Sequence, residues 1–128
     1  MAEGLKGYIL LVDDEVQFLN VLAQRLERRG LTVETAESGE IALEKVKSKQ
    51  FDTIILDLFM PGMGGLETLR RIREKNPDLH VIILTGQATV ERSVEAMKMG
   101  ASDLLEKPVN INKLLEKISE VQSKRGSS

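Results

Sequence analysis

There is no cysteine among the 128 residues, so disulfides and thiolate metal sites are excluded. The one histidine, His80, follows Pro77-Asp78-Leu79 at a predicted strand start and reads as a surface residue rather than a phosphodonor. No apolar run approaches the roughly 20 residues that a membrane helix needs. Met1-Ala2-Glu3-Gly4 lacks the apolar core of a signal peptide. Neither sign of charge is in excess: 18 Lys and Arg stand against 20 Asp and Glu, for a net charge of −2. There is thus no basic surplus to suggest nucleic acid. Gly62, Gly64 and Gly65 do not form a dinucleotide fingerprint. What remains is a cytoplasmic domain of one unit, large enough to bury a core without staples.

Against these absences stand short apolar runs that end in polar residues. Tyr8-Ile9-Leu10-Leu11-Val12 runs into Asp13-Asp14, and Thr53-Ile54-Ile55-Leu56 runs into Asp57. Val81-Ile82-Ile83-Leu84 runs into Thr85, and Leu104-Leu105 into Glu106-Lys107-Pro108. Such runs read as parallel strands buried on both faces. Leu31 to Thr35 supplies a further strand by its alternation. Between the strands lie amphipathic segments. The first carries Phe18, Leu19, Leu22 and Leu26 and ends at Gly30. The second is capped by Ser38 and carries Ala42, Leu43 and Val46. The third turns Leu66, Leu69 and Ile72 inward and Arg70, Arg71 and Arg73 outward, stopping near Asn76-Pro77. The fourth, from about Thr89, carries Val90, Val94 and Met97, with Met97 expected in the core and Met99 on the surface. The fifth presents Ile111, Leu114, Leu115, Ile118 and Val121. Strict alternation of strand and helix implies an α/β fold, a parallel sheet with helices on both faces. Residues 8–122 form the domain, 1–7 a leading segment and 123–128 a polar tail expected to fray.

In an open α/β sheet, ligands bind beyond the carboxyl ends of the strands. Asp13, Asp14 and Asp57 therefore share one pocket if their strands are neighbours. Like charges so close must bind a cation, take up a proton or stay solvated. Hard oxygens without thiol or imidazole select magnesium, or manganese, over zinc. Two carboxylates and a backbone carbonyl would suffice for a cation that keeps several waters. Asp13-Asp14 could also cap the first helix, and the two roles can coexist. Asp57 is the candidate nucleophile, because a carboxylate can attack phosphorus to give an aspartyl phosphate. Lys107 offers a point charge for phosphoryl oxygens, and a cis bond to Pro108 is allowed. Thr85 offers a hydroxyl, and Gly86 leaves room for approach.

These residues, with Asp57-Leu58-Phe59-Met60-Pro61-Gly62-Met63-Gly64-Gly65-Leu66 between them, resemble the receiver domain of two-component response regulators over about Tyr8 to Val121. The resemblance implies a flavodoxin-like, five-stranded parallel sheet of order 2-1-3-4-5 with five helices. It implies that Asp57 is phosphorylated from a phosphohistidine on a sensor histidine kinase. Asp14 and Asp57 would ligate magnesium directly, Asp13 mostly through water, and the Phe59 backbone carbonyl would be a further ligand. Lys107 would bind the phosphoryl group and Thr85 would report it. Phe59 and Gln87 would flank the path of the hydrolytic water.

On this reading the chain is not an enzyme acting on other substrates. It is a phosphoacceptor signalling domain that catalyses its own phosphorylation and dephosphorylation. Output would pass through the face of the fourth helix, fifth strand and fifth helix to a downstream domain or protein. A phosphorylation-dependent homodimer is compatible; direct contact with nucleic acid or membrane is not expected. The chain departs from the family at Leu104, where receivers usually carry Tyr or Phe. An aspartyl-nucleophile phosphatase would need a second Asp two residues after Asp57, where Phe59 stands. A module that had lost the switch would have lost some of these residues. Both a stand-alone regulator and a piece of a longer one fit the chain.

Overall fold

The computed structural model describes residues 6–86 and 90–126, the last three by backbone alone. Its elements are β1 Tyr8–Val12, α1 Val16–Glu27, β2 Thr32–Ala36, α2 Gly39–Ser48, β3 Thr53–Leu56, α3 Gly65–Lys75, β4 His80–Thr85, α4 Val90–Lys98, β5 Asp103–Glu106 and α5 Ile111–Gly126. All strand pairs are parallel and the order is β2-β1-β3-β4-β5, as the resemblance implies.

Alternation along the strands sorts the core into two layers. Leu10 and Val12, Ile54 and Leu56, Val81 and Ile83 pack on one face with Ala42, Leu69, Ile72 and Ala96 of α2, α3 and α4. Ile9 and Leu11, Ile55, Ile82 and Leu84 pack on the other with Leu19, Leu22 and Leu26 of α1 and Leu114, Ile118 and Val121 of α5. Each fully buried aliphatic side chain contributes roughly 1.5–3 kcal/mol by leaving water. The helix stops follow the sequence. Ser38 Oγ accepts from the Ile41 N–H at 3.1 Å. Gly30 and Gly100 sit at φ +99° and +104°, a region glycine enters without a Cβ penalty.

Two expectations are corrected. The apolar stripe of α4 faces out: Val90, Val94 and Met97 are 81, 47 and 45 % exposed, while Ala96 is buried. Met99, not Met97, packs against the core. Periodicity says which residues share a face, not where that face points. Here α4 seats its small Ala96 inward, in the core layer of that sheet face. Arg73 does not point to solvent. Its guanidinium donates to the Gly100 carbonyl at 3.0 and 2.7 Å and to the Asn76 and Pro77 carbonyls at 3.2 Å. Those carbonyls end α3 and lead into β5, so they need donors. The α5 backbone is helical to Gly126. By contrast Arg70 and Arg71 do face solvent and pair with Glu67 and Glu74 on their own helix.

Candidate functional site

Ladder bonds continue one residue past the strands and fix the polar residues that follow. The Asp13 N–H donates to the Ala36 carbonyl at 3.1 Å, Asp57 to Val12 at 3.0 Å and Lys107 to Thr85 at 2.9 Å. Asp13, Asp57 and Lys107 each stand two residues after a side chain on the α1–α5 face, namely Leu11, Ile55 and Leu105. Period-2 alternation therefore turns all three toward the same side of the sheet edge. Asp14 has the opposite parity and is exposed. The carboxylate oxygens of Asp13, Asp14 and Asp57 come within 4.8 Å of one another.

Behind Asp57 the chain turns tightly. The Gly65 N–H donates to the Leu58 carbonyl at 2.9 Å. A Cβ at Gly65 would stand 2.3 Å from the Asp57 carbonyl oxygen and 2.4 Å from Leu58 Cα. Only glycine lets α3 begin against the strand end. The Phe59 N–H donates to Asp57 Oδ1 at 3.3 Å, closing a turn around that carboxylate. The Phe59 ring is half-buried against the core, and the Arg92 guanidinium lies 5.8 Å from its centre. A Cβ at Gly86 would meet Lys107 Cδ at 3.7 Å, ordinary contact.

Lys107 precedes a cis peptide bond to Pro108. Its Nζ donates to Asp13 Oδ2 at 2.6 Å and to Glu15 Oε1 at 2.7 Å, and lies 4.2 Å from the Phe18 ring centre. Asp57, Thr85, Lys107, Asp14, Glu15, Phe59 and Gly86 line one cleft of about 420 Å³. A larger groove of about 580 Å³ opens at the opposite sheet edge, between Lys47, Phe51, Lys75 and Leu79. It lacks this chemistry, so size does not mark the site.

The electrostatics agree with the crowding. Burial, then the charge of Asp13, pushes the Asp57 carboxyl up; the Phe59 N–H, Lys107 and the Thr85 hydroxyl oppose this. Burial also pushes Asp13 up against its bonds from Lys107 and the Glu15 N–H. Burial works against the Lys107 ammonium, but Asp13, Glu15 and Asp57 outweigh it and its pKa is raised. Four carboxylates, Asp13, Asp14, Glu15 and Asp57, near one ammonium leave negative charge uncompensated, and the donors are all hard oxygens. That set fits a hard divalent cation.

Every sequence-predicted site residue among the described residues lines this cleft except Asp13, which bonds Lys107 and lies within 4.8 Å of Asp14 and Asp57. Gln87, and Thr89 at the expected start of α4, lie outside the described residues. Leu104 packs toward α2–α4 and Leu105 toward α1–α5, as alternation requires. His80 is half-buried with Nδ1 3.4 Å from Ser102 Oγ, at the far end of β4 from the cleft. Sequence reasoning missed Glu15 and assigned Phe18 only to the core. Nothing in spacing alone shows that both converge on a lysine some ninety residues away.

Residues 9–119 match the response regulator receiver domain family. The chain belongs to that family. The receiver is 42 % identical over 112 residues to the transcriptional regulatory protein ZraR of Klebsiella oxytoca, covering 88 % of this chain and 25 % of that protein. It is 39 % identical over 107 residues to the DNA-binding transcriptional regulator NtrC of Escherichia coli K12, covering 84 % of this chain and 23 % of that protein. The receiver thus spans about a quarter of the length of these relatives. Among solved structures, a CheY-like response regulator receiver domain protein from Methanospirillum hungatei superposes with a TM-score of 0.91 at 34 % identity. It covers 97 % of this chain and 100 % of that one. Among the described residues, no helix is long and apolar enough to cross a membrane.

Proposed function

We propose that the receiver is a phosphoryl-accepting switch and that Asp57 is its acceptor. The observation that carries this is the cleft itself. The Asp57 carboxylate is held by its own turn, faces two further carboxylates, and shares its walls with Thr85 and Lys107. In the transfer, an Asp57 oxygen forms a bond to phosphorus as the phosphorus–nitrogen bond of a kinase phosphohistidine breaks. The histidine departs with the bonding electron pair. Phosphoryl transfer asks a protein mainly for positioning and charge neutralisation. Asp13, Asp14, Asp57 and the Phe59 carbonyl would hold magnesium, or manganese, which supplies that neutralisation when bound. Lys107 contributes a movable positive charge, and the Thr85 hydroxyl a hydrogen bond.

The domain acts on its own aspartate rather than on released substrates. Phe59 stands where a phosphatase of the aspartyl-nucleophile class would need a proton donor. Hydrolysis of the acyl phosphate resets the switch. Output passes through the α4–β5–α5 face to a downstream domain or protein. That face carries a groove of about 680 Å³ lined by Val90, Val94, Leu104, Leu105, Pro108 and Lys113, with the exposed stripe of α4 at its rim. The same face would serve a phosphorylation-dependent homodimer. The domain works in the cytoplasm and touches neither membrane nor nucleic acid itself. Leu104 lacks the ring that receivers usually turn inward, so activation shifts Thr85 and α4 with little rotamer change at Leu104.

The test is intact mass after incubation with acetyl phosphate and magnesium. The parent gains one phosphoryl mass and Asp57→Asn gains none. Equal labelling of both would refute the assignment.

A further inference from the structure

Lys107 is not waiting in the open. Its ammonium is gripped by three groups from one segment at the start of α1. Asp13 Oδ2 lies at 2.6 Å, Glu15 Oε1 at 2.7 Å and the Phe18 ring centre at 4.2 Å. An ammonium has three N–H donors; two go to carboxylates and the ring face occupies the third direction. To receive a phosphoryl oxygen, the lysine must release one partner.

The two carboxylates differ in what release costs. The Asp13 side chain is 4 % exposed, whereas that of Glu15 is 63 % exposed. Freeing the lysine from Asp13 removes a hydrogen bond that water has little room to replace, which is expensive. Freeing it from Glu15 lets water take the lysine's place at little cost. Glu15 has no competing duty either. It is the N-cap residue of α1, yet its side chain makes no capping bond. The capping role falls to Asp13, whose Oδ1 accepts from the Glu15 N–H at 2.9 Å.

We infer that Glu15 is a positioning residue that holds Lys107 withdrawn along α1 in the resting receiver, and that phosphorylation requires the Glu15–Lys107 bond to open while the Asp13–Lys107 bond persists. The inference rests on the phosphoacceptor reading above. It makes Glu15 a brake on acceptance: its charge stabilises the resting position of the lysine and not the phosphorylated one.

The experiment compares the full chain with Glu15→Gln and with Glu106→Gln, which removes an equal charge from the exposed residue next to Lys107. With acetyl phosphate and saturating magnesium, Glu15→Gln gains phosphoryl mass roughly two- to fivefold faster than the parent, the range for releasing one exposed ion pair. Glu106→Gln keeps the parent's rate. A second readout needs no donor. The ε-methylene protons of Lys107 in the resting parent should be shifted upfield by the Phe18 ring, whose centre lies 4.2 Å from Nζ. In Glu15→Gln they move toward the free-lysine position, and in Glu106→Gln they stay. Parent-like labelling by Glu15→Gln, or an equal gain from both variants, overturns the inference and leaves the phosphoacceptor reading standing. A parent that takes up no phosphoryl group overturns both.

Discussion

Replacing Gly65 with alanine should damage the fold and the site together. The added Cβ would stand 2.3 Å from the Asp57 carbonyl oxygen, 2.4 Å from Leu58 Cα and 2.9 Å from Leu58 C. Comfortable contacts between carbon atoms are about 3.5–4.0 Å, so a shift on the order of 1 Å is needed. All three atoms are backbone, and no rotamer change relieves them. Either α3 withdraws and the Gly65–Leu58 bond of 2.9 Å breaks, or the strand end moves and takes Asp57 with it. Forced overpacking typically costs about 1–3 kcal/mol, and contact confined to backbone belongs at the upper end. At about 3 kcal/mol, a domain of this size should lose roughly 10 °C in melting temperature. Gly86→Ala is the matched control, since its Cβ meets only Lys107 side-chain carbons at 3.7 and 3.8 Å. It should stay within about 1 kcal/mol of the parent. Urea denaturation followed by circular dichroism measures both. Acetyl phosphate labelling of the folded Gly65→Ala fraction then asks whether Asp57 has moved. A Gly65→Ala protein as stable as the Gly86→Ala control would refute the steric argument.

Magnesium should raise the melting temperature of the parent, because a bound cation relieves the crowding of Asp13, Asp14 and Asp57. At ten times its Kd the gain is about 1.4 kcal/mol. Asp14→Ala should lose most of that response in a thermal shift assay, and a parent-like response would show that Asp14 is no ligand. Phe59→Asn should shorten the acyl phosphate lifetime several-fold, since the ring beneath Arg92 cannot orient water. A slower decay at fixed magnesium would contradict that. On β2, Lys49, then Tyr8, bonds the Glu34 carboxylate and draws its pKa down to about 2. A depressed carboxyl stabilises the fold above its unfolded value and loses that contribution as pH falls toward 2. Glu34→Gln should therefore melt about 2–4 °C below the parent at pH 6, discounted for solvent screening, and converge with it near pH 2. A constant gap across that range would remove the pH linkage from Glu34.

Much of the site is legible in the amino-acid sequence. A run such as Thr53-Ile54-Ile55-Leu56 can bury both faces only as an interior strand, and a charge directly after it must sit at the strand's carboxyl end. That local logic suffices to bring Asp13, Asp14, Asp57, Thr85 and Lys107 to one edge, and the motif order then suggests which strands are neighbours. The stops at Gly30 and Gly100 and the Ser38 cap are likewise readable, because a helix end is satisfied by residues within a few positions of it. Other features depend on distant parts of the chain. The α4 stripe of Val90, Val94 and Met97 has a clean helical period, but only docking through Ala96 decides that it faces solvent. Arg73 reads as one arginine among three until the turn at Gly100 presents its carbonyl. The grip of Glu15 and Phe18 on Lys107 joins the start of α1 to the end of β5 across strands that are not neighbours. Periodicity and capping are local and survive in a sequence. Which way a face points, and which partner a long charged side chain finds, are settled only when the layers close.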